Sequence, residues 1–252
     1  MDLPLSFYMI TALSIFLTGL SKSGFGGGLG VMAVPMMSLF VPPQFAAAVM
    51  MPLLLAMDML IIWRFRRSWD RGVILSLLPA ACVGLLLGRM TFEHMDANII
   101  KLLIGLLAAF FVVQFLLGRG AQPRSIPGGK PMVWLLGLIS GFSSYIAHAG
   151  GPPVKGYLLR QQLEKSAFVG TNTVFFFTLN FIKTVAYGAS GTLSQASLTV
   201  SALLAPILVV AVLVGSALQS RIDQQLFVKF VYGFLALTAA KLLTDSLSAF
   251  LA

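Results

Sequence analysis

Gly24-Phe25-Gly26-Gly27-Gly28 and His148-Ala149-Gly150-Gly151-Pro152-Pro153 each interrupt a hydrophobic run. At membrane depth such breaks leave backbone groups without intrahelical partners. That is tolerated only where protein buries them or a wet cavity receives them. One break in each half of a chain is the sequence pattern of a carrier's binding site. The remaining residues are read outward from these two tips.

Of 252 residues, 58% are hydrophobic and only 10% charged, where a soluble domain carries about a quarter charged. The chain is therefore expected to be an integral membrane protein. Its formal net charge of +9 does not point to nucleic acid, because the basic residues cluster in short loops between apolar runs, as membrane orientation requires. The start, Met1-Asp2-Leu3-Pro4-Leu5, lacks the basic residues of a secretory signal, so the first segment is expected to be retained. Cys82 is the one cysteine, which excludes disulfides and cysteine metal sites and leaves it as a small core residue.

Six segments are long enough to span a bilayer: 45–63, 72–88, 97–117, 166–187, 193–218 and 225–243. Beside the tips lie shorter pieces, 5–20 with 31–41 and 132–147 with 152–160. The longer arms reach about 24 Å and the shorter ones about 14–17 Å at helical rise. Each pair reads as a re-entrant hairpin, 5–41 and 132–160, with its glycine-rich tip near mid-membrane.

The loops then set orientation. Arg64, Arg66, Arg67 and Arg71 share one loop; Arg119, Arg124 and Lys130 share another; Arg160 with Lys165, and Arg221, mark two more. The excess of basic residues places these four in the cytoplasm. Hairpin 5–41 then opens from outside and hairpin 132–160 from inside, with both chain ends outside. The expected fold is all-α, with two inverted repeats of one hairpin plus three spans. Repeat 1 covers 1–117, a cytoplasmic linker 118–131, and repeat 2 132–252. Offsets between the halves agree: 122 residues carries Gly19, Ser21, Gly28 and Asp58 onto Gly141, Ser143, Gly150 and Asn180, and 127 carries Pro79, Gly88 and Asp96 onto Pro206, Gly215 and Asp223.

What can the tips hold? A short helix starting deep in the membrane offers free N–H groups and the positive end of its dipole to an anion. Glycine allows close approach, and Pro152 and Pro153 suit a first turn. The candidate substrate contacts are Ser21, Lys22, Ser23, Gly24, Gly26, Gly27 and Gly28 in the first half. In the second they are Ser143, Ser144, His148, Gly150, Gly151, Lys155, Thr171 and Asn172. Lysine deep in a bilayer calls for a cavity or a partner, so the set favours a compact oxyanion. Asp58, the one acid well inside a span, and His148 are candidate coupling groups, with a structural ion pair or a core histidine as the plain alternatives. Lys183 reads equally well as a lysine snorkelling to the outer surface, and it is no evident partner for Asp58. Gly84-xxx-Gly88 and Gly137-xxx-Gly141 read as close helix packing.

Gly24–Gly28 followed by Pro35, then Gly141 with His148-Ala-Gly-Gly-Pro-Pro153 and Ser166-Ala-Phe-Val-Gly-Thr171, resembles the TauE/SafE sulfite-exporter family over about 16–243. The resemblance implies a bacterial inner-membrane permease that exports small sulfur-containing anions such as sulfite or organosulfonates. It also implies that Ser21–Gly28 and Ser143–Gly151 form the substrate site. Transport by alternating access is the expected mechanism, and the chain is not expected to be an enzyme, to carry a cofactor or metal, or to bind nucleic acid. Its partners are the anion and the lipid bilayer, and a homo-oligomer is compatible with the sequence. Two alternatives stay open: a proton- or metal-cation carrier using Asp58 and His148, and a membrane scaffold or assembly protein.

Overall fold

The computed structural model describes residues 3–25, 30–117, 129–218 and 224–251. Among them every regular element is helical. The order is α1 (Leu5–Phe25), a 3-10 turn (Gly30–Met32), α2 (Ala33–Met37), α3 (Pro43–Phe65), α4 (Arg71–His94) and α5 (Ala97–Leu116). The second half follows with α6 (Lys130–Ala147), α7 (Gly151–Arg160), α8 (Lys165–Ala189), α9 (Gln195–Leu218) and α10 (Gln224–Leu251). Residues 118–128, most of the expected linker, lie outside the described residues, as do Gly26, Gly27 and Gly28.

Six described helices are long and apolar enough to cross a membrane: α1, α3, α4, α5, α9 and α10. The expected set differs in two members. The first arm does not stop at residue 20; α1 runs unbroken for 21 residues, about 31 Å at helical rise. In its place α8, though 25 residues long, is not apolar enough, because it carries Thr171, Asn172, Thr173, Asn180 and Lys183, all of them buried. A helix that turns polar groups inward has something other than lipid to satisfy there. The outer surface is apolar instead, with Trp63, Leu86, Leu203, Leu213 and Leu237 exposed.

From Gly30 the chain continues through the 3-10 turn and a five-residue α2 that ends at Met37, short of the expected 41. In the second half α6 and α7 follow the expected arms closely. His148 ends α6 in the left-handed conformation (φ 52°), uncommon for a side-chain-bearing residue. Its N–H donates to the Ser144 carbonyl at 3.1 Å, and the Ala149 N–H to that of Ser143 at 3.1 Å. Ser140 Oγ then donates to the Gly150 carbonyl at 2.8 Å, tying the tip back to α6, and Pro152 and Pro153 occupy the first turn of α7.

Helices of the two halves interlock. α4 packs on α6, α1 on α9, α5 on α10, and α3 on both α8 and α9. The closest crossing is α4 on α6, where Gly84 and Gly88 face Gly137 and Gly141 as their spacing leads one to expect. A Cβ on Gly84 would meet the Leu138 carbonyl oxygen at 2.1 Å, and one on Gly141 that of Ala81 at 2.0 Å. Here packing needs backbone against backbone, and glycine alone allows it. Elsewhere rings fill the seam: Phe115 of α5 stacks on Tyr232 of α10 at 4.3 Å.

Candidate functional site

α1, α3, α8 and the α6–α7 junction meet around one small buried cavity of about 40 Å³. On a measure by which a water needs about 10–15 Å³, that is space for roughly three waters. Thr18 and Lys22 enter from α1, Gly30 and Val31 from the 3-10 turn, and Leu54 from α3. Ser144, His148 and Gly151 come from the second tip, and Asn172, Phe176, Asn180 and Lys183 from α8. The cavity therefore lies beside the start of α7, whose first-turn N–H groups have no partners within the helix.

Two lysines decide its electrostatics. Lys22 Nζ pairs with Asp58 Oδ1 at 2.5 Å, with its side chain 11% exposed and that of Asp58 fully buried. The other oxygen, Asp58 Oδ2, accepts from Asn180 Nδ2 at 2.6 Å. Lys183 is fully buried too. It donates to the Ser144 carbonyl at 2.9 Å and to Ser144 Oγ at 3.0 Å, and its third contact is His148 Nδ1 at 2.8 Å. The other ring nitrogen, Nε2, lies 3.0 Å from the Ala47 carbonyl, which can only accept. So Nε2 carries the proton, Nδ1 accepts from Lys183, and the imidazole is neutral. Three polar atoms of the second tip therefore surround the Lys183 head. Among the described residues no carboxylate pairs with it. Two lysines and one carboxylate thus meet at this place.

Of the residues nominated from sequence, Lys22, Ser144, His148, Gly151 and Asn172 line this cavity. Asp58 stands directly behind Lys22. Gly26, Gly27 and Gly28 lie outside the described residues, and the other described nominees sit off the cavity lining. Ser21 is buried in α1, off the cavity lining, and Gly24 falls in the last turn of α1. Ser23 donates to the Gly19 carbonyl at 2.8 Å and faces Gly215 of α9. Ser143 donates within its own tip, to Ile139 at 2.7 Å. Gly150 is packed against Ser140, and Lys155 lies a turn beyond the cavity on α7.

Thr171 has a structural partner: its Oγ1 accepts from the Asp70 N–H at 2.8 Å, pinning the α3–α4 loop to α8. Replacing Thr171 with valine is expected to lower stability by about 0.5–1.5 kcal/mol, the net worth of one hydrogen bond, and to leave anion affinity unchanged. Thermal melting beside a binding titration checks both.

Sequence reasoning nominates neither Thr18 nor Asn180, and it leaves Lys183 evenly balanced between function and an outward-snorkelling lysine. Thr18 Oγ1 is buried with no hydrogen-bond partner among the described residues, and it lines the cavity. A signal for the others was present: Asn180 is the mate of Asp58 at the 122-residue offset, and Lys183 lies three residues on, on the same helix face. Lys183 does not snorkel outward. It turns into the cavity because Ser144 and His148 offer it three acceptors in the protein interior.

Neither the curated proteins nor the solved structures yield a match to the chain. The sequence profile described as Sulfite exporter TauE/SafE matches residues 11–242. With six described helices long and apolar enough to cross a membrane and a profile spanning nearly its whole length, the chain belongs to the TauE/SafE sulfite-exporter family, a family of membrane transporters and not of enzymes.

Proposed function

We propose that this chain is a secondary transporter that exports small sulfur-containing anions, sulfite or organosulfonates, across the bacterial inner membrane by alternating access. The observation that carries the reading is the meeting of Lys22 and Lys183 at one small cavity, with Asp58 behind Lys22 the one carboxylate paired there among the described residues; with both lysines protonated the site carries one positive charge in excess. A buried positive excess is costly unless something negative joins it. The unpartnered Thr18 hydroxyl and the start of α7 add donors at the same place. Space for about three waters suits a compact oxyanion better than a sugar.

Support for two inverted halves comes from residues related by the sequence offsets. Asp58 and Asn180, 122 positions apart, bond to each other, as equivalent positions do beside a two-fold axis. Gly88 lies against Phe142 and Tyr145, and Gly215 against Leu20 and Ser23. Those neighbours differ by the same 122, and the two glycines by 127. On this reading α1 with α2 answers α6 with α7, and rocking of one half on the other exposes the cavity to each side in turn. The basic loops put the linker in the cytoplasm and both chain ends outside.

A metal-cation carrier fits the geometry less well. Both oxygens of Asp58 are engaged, by Lys22 and Asn180, and His148 already spends both ring nitrogens. The test is counterflow of labelled sulfite or thiosulfate in proteoliposomes. Lys22→Gln is expected to lower the rate at least tenfold. A rate that survives this change, or that follows divalent metal instead of anion, would overturn the reading.

A further inference from the structure

We propose that Asp58 is a tethered anion that occupies the substrate's counter-charge. An incoming anion engages Lys22 only as Asp58 takes up a proton, so each anion is bound together with one proton. The inference rests on the anion-transport reading and adds the coupling ion to it.

The geometry is that of a competitor held in reserve. Lys22 lines the cavity, and Asp58 sits behind it, fully buried and in contact with its ammonium. While Asp58 is ionised, the charge of Lys22 is already spent. An anion arriving on the cavity side would then meet Lys183 alone and would face a buried carboxylate across Lys22. Protonating Asp58 removes that repulsion and returns the charge of Lys22 to the ligand.

Asn180 is the partner such a group requires. An amide can donate Nδ2–H to a carboxylate, as it does here at 2.6 Å. After rotation it can present its oxygen to accept the proton of a carboxylic acid. An arginine in that place would fix the charge; an asparagine serves both states.

The groups that act on Asp58 from the packed elements are Lys22 on α1 and Lys183 with Asn180 on α8. His148 stands beyond Lys183, at the α6–α7 junction. Packed against α3 as well, α2 and α9 carry no titratable side chain, and neither Lys101 of α5 nor Tyr145 of α6 is among the partners of Asp58. His148 cannot take the coupling role where it stands. A second ring proton would point an N–H at the Lys183 ammonium, and the bond at 2.8 Å would become a repulsion. Asp58, paired with the lysine that lines the cavity, is the group placed to exchange that proton. The balance is simple: one proton from the aqueous side and one anion enter together, Asp58 becomes the neutral acid, and both leave on the other side.

The experiment uses the full chain purified in detergent, with thiosulfate and methanesulfonate as probes. Neither titrates near neutral pH, so any proton taken up belongs to the protein. Calorimetry in buffers of different ionisation enthalpy counts protons per anion, and the titration is repeated across pH. About one proton per anion is expected, with affinity falling about tenfold per pH unit wherever the free carboxyl is ionised. In Asp58→Asn the proton count should drop to zero and the affinity should become independent of pH. The wild-type count decides the matter even if that variant fails to fold. Anion binding without proton uptake overturns the proposal and leaves the transport reading intact. No anion binding at any pH overturns the transport reading, and the proposal with it.

Discussion

Replacing Lys183 with methionine is expected to cut anion flux at least tenfold in protein that still inserts and folds. A unit charge about 4 Å from an anion contributes about 4 kcal/mol at an effective dielectric of 20, so tenfold is a lower bound. The fold should tolerate the change because two effects oppose each other. His148 Nδ1, the Ser144 carbonyl and Ser144 Oγ lose their donor, at about 1–3 kcal/mol for a group left unsatisfied. Against this, a buried ammonium without a carboxylate partner is removed, and methionine fills nearly the same volume. Counterflow in proteoliposomes reads the flux, and gel filtration with thermal melting reads the fold. Lys183→Arg, which keeps the charge, should retain more flux than the methionine variant. Equal loss in both would mean that shape, not charge, is what the position supplies.

The largest effect on stability is expected at the α4–α6 crossing. Gly141→Val should prevent the native fold, and Gly141→Ala alone should cost several kcal/mol, in the range reserved for severe packing defects. A Cβ there would sit 2.0 Å from the Ala81 carbonyl oxygen, and no rotamer change relieves a clash with backbone. The two helices would have to separate along their length, and Gly84 and Gly137 would lose the same close contact. Gly233 supplies the control: a Cβ there meets nothing within 4 Å, so Gly233→Ala should be neutral or slightly stabilising in a helix. Thermal melting of the two alanine variants side by side measures the difference.

Much of this architecture was legible in the order of residues. The glycine and proline break at 148–153 located the α6–α7 junction, because no helix runs unstrained through such composition in an apolar setting; most of the break at 24–28 lies outside the described residues. Glycine pairs at 84/88 and 137/141 announced a close crossing, since four-residue spacing puts both on one helix face. The anionic preference proposed for the site rests on lysine deep in an apolar chain. The actual cation set was harder to read. Lys183 stands in a helix with an outward-facing Phe181 and a buried Asn180, and its depth depends on which neighbours offer acceptors. Those are Ser144 and His148, more than thirty residues away, and sequence spacing within α8 does not carry that information. For the same reason Ser23, Ser143 and Thr171 looked like ligand donors. A hydroxyl next to a tip has backbone carbonyls and N–H groups within reach, and these three satisfy the backbone first. The length of α1 was misjudged because Lys22 and Ser23 look like the end of a membrane segment, yet the ion pair to Asp58 lets the helix carry that lysine inward.

The most direct test of the central claim is an anomalous difference map from crystals of the full chain soaked with selenite, a heavier analogue of sulfite. The account predicts one site in the cavity, within hydrogen-bond distance of Lys22 Nζ and Thr18 Oγ1 and beside the first turn of α7. Selenium density elsewhere, with this cavity holding only water at a selenite concentration that saturates binding in solution, would contradict it.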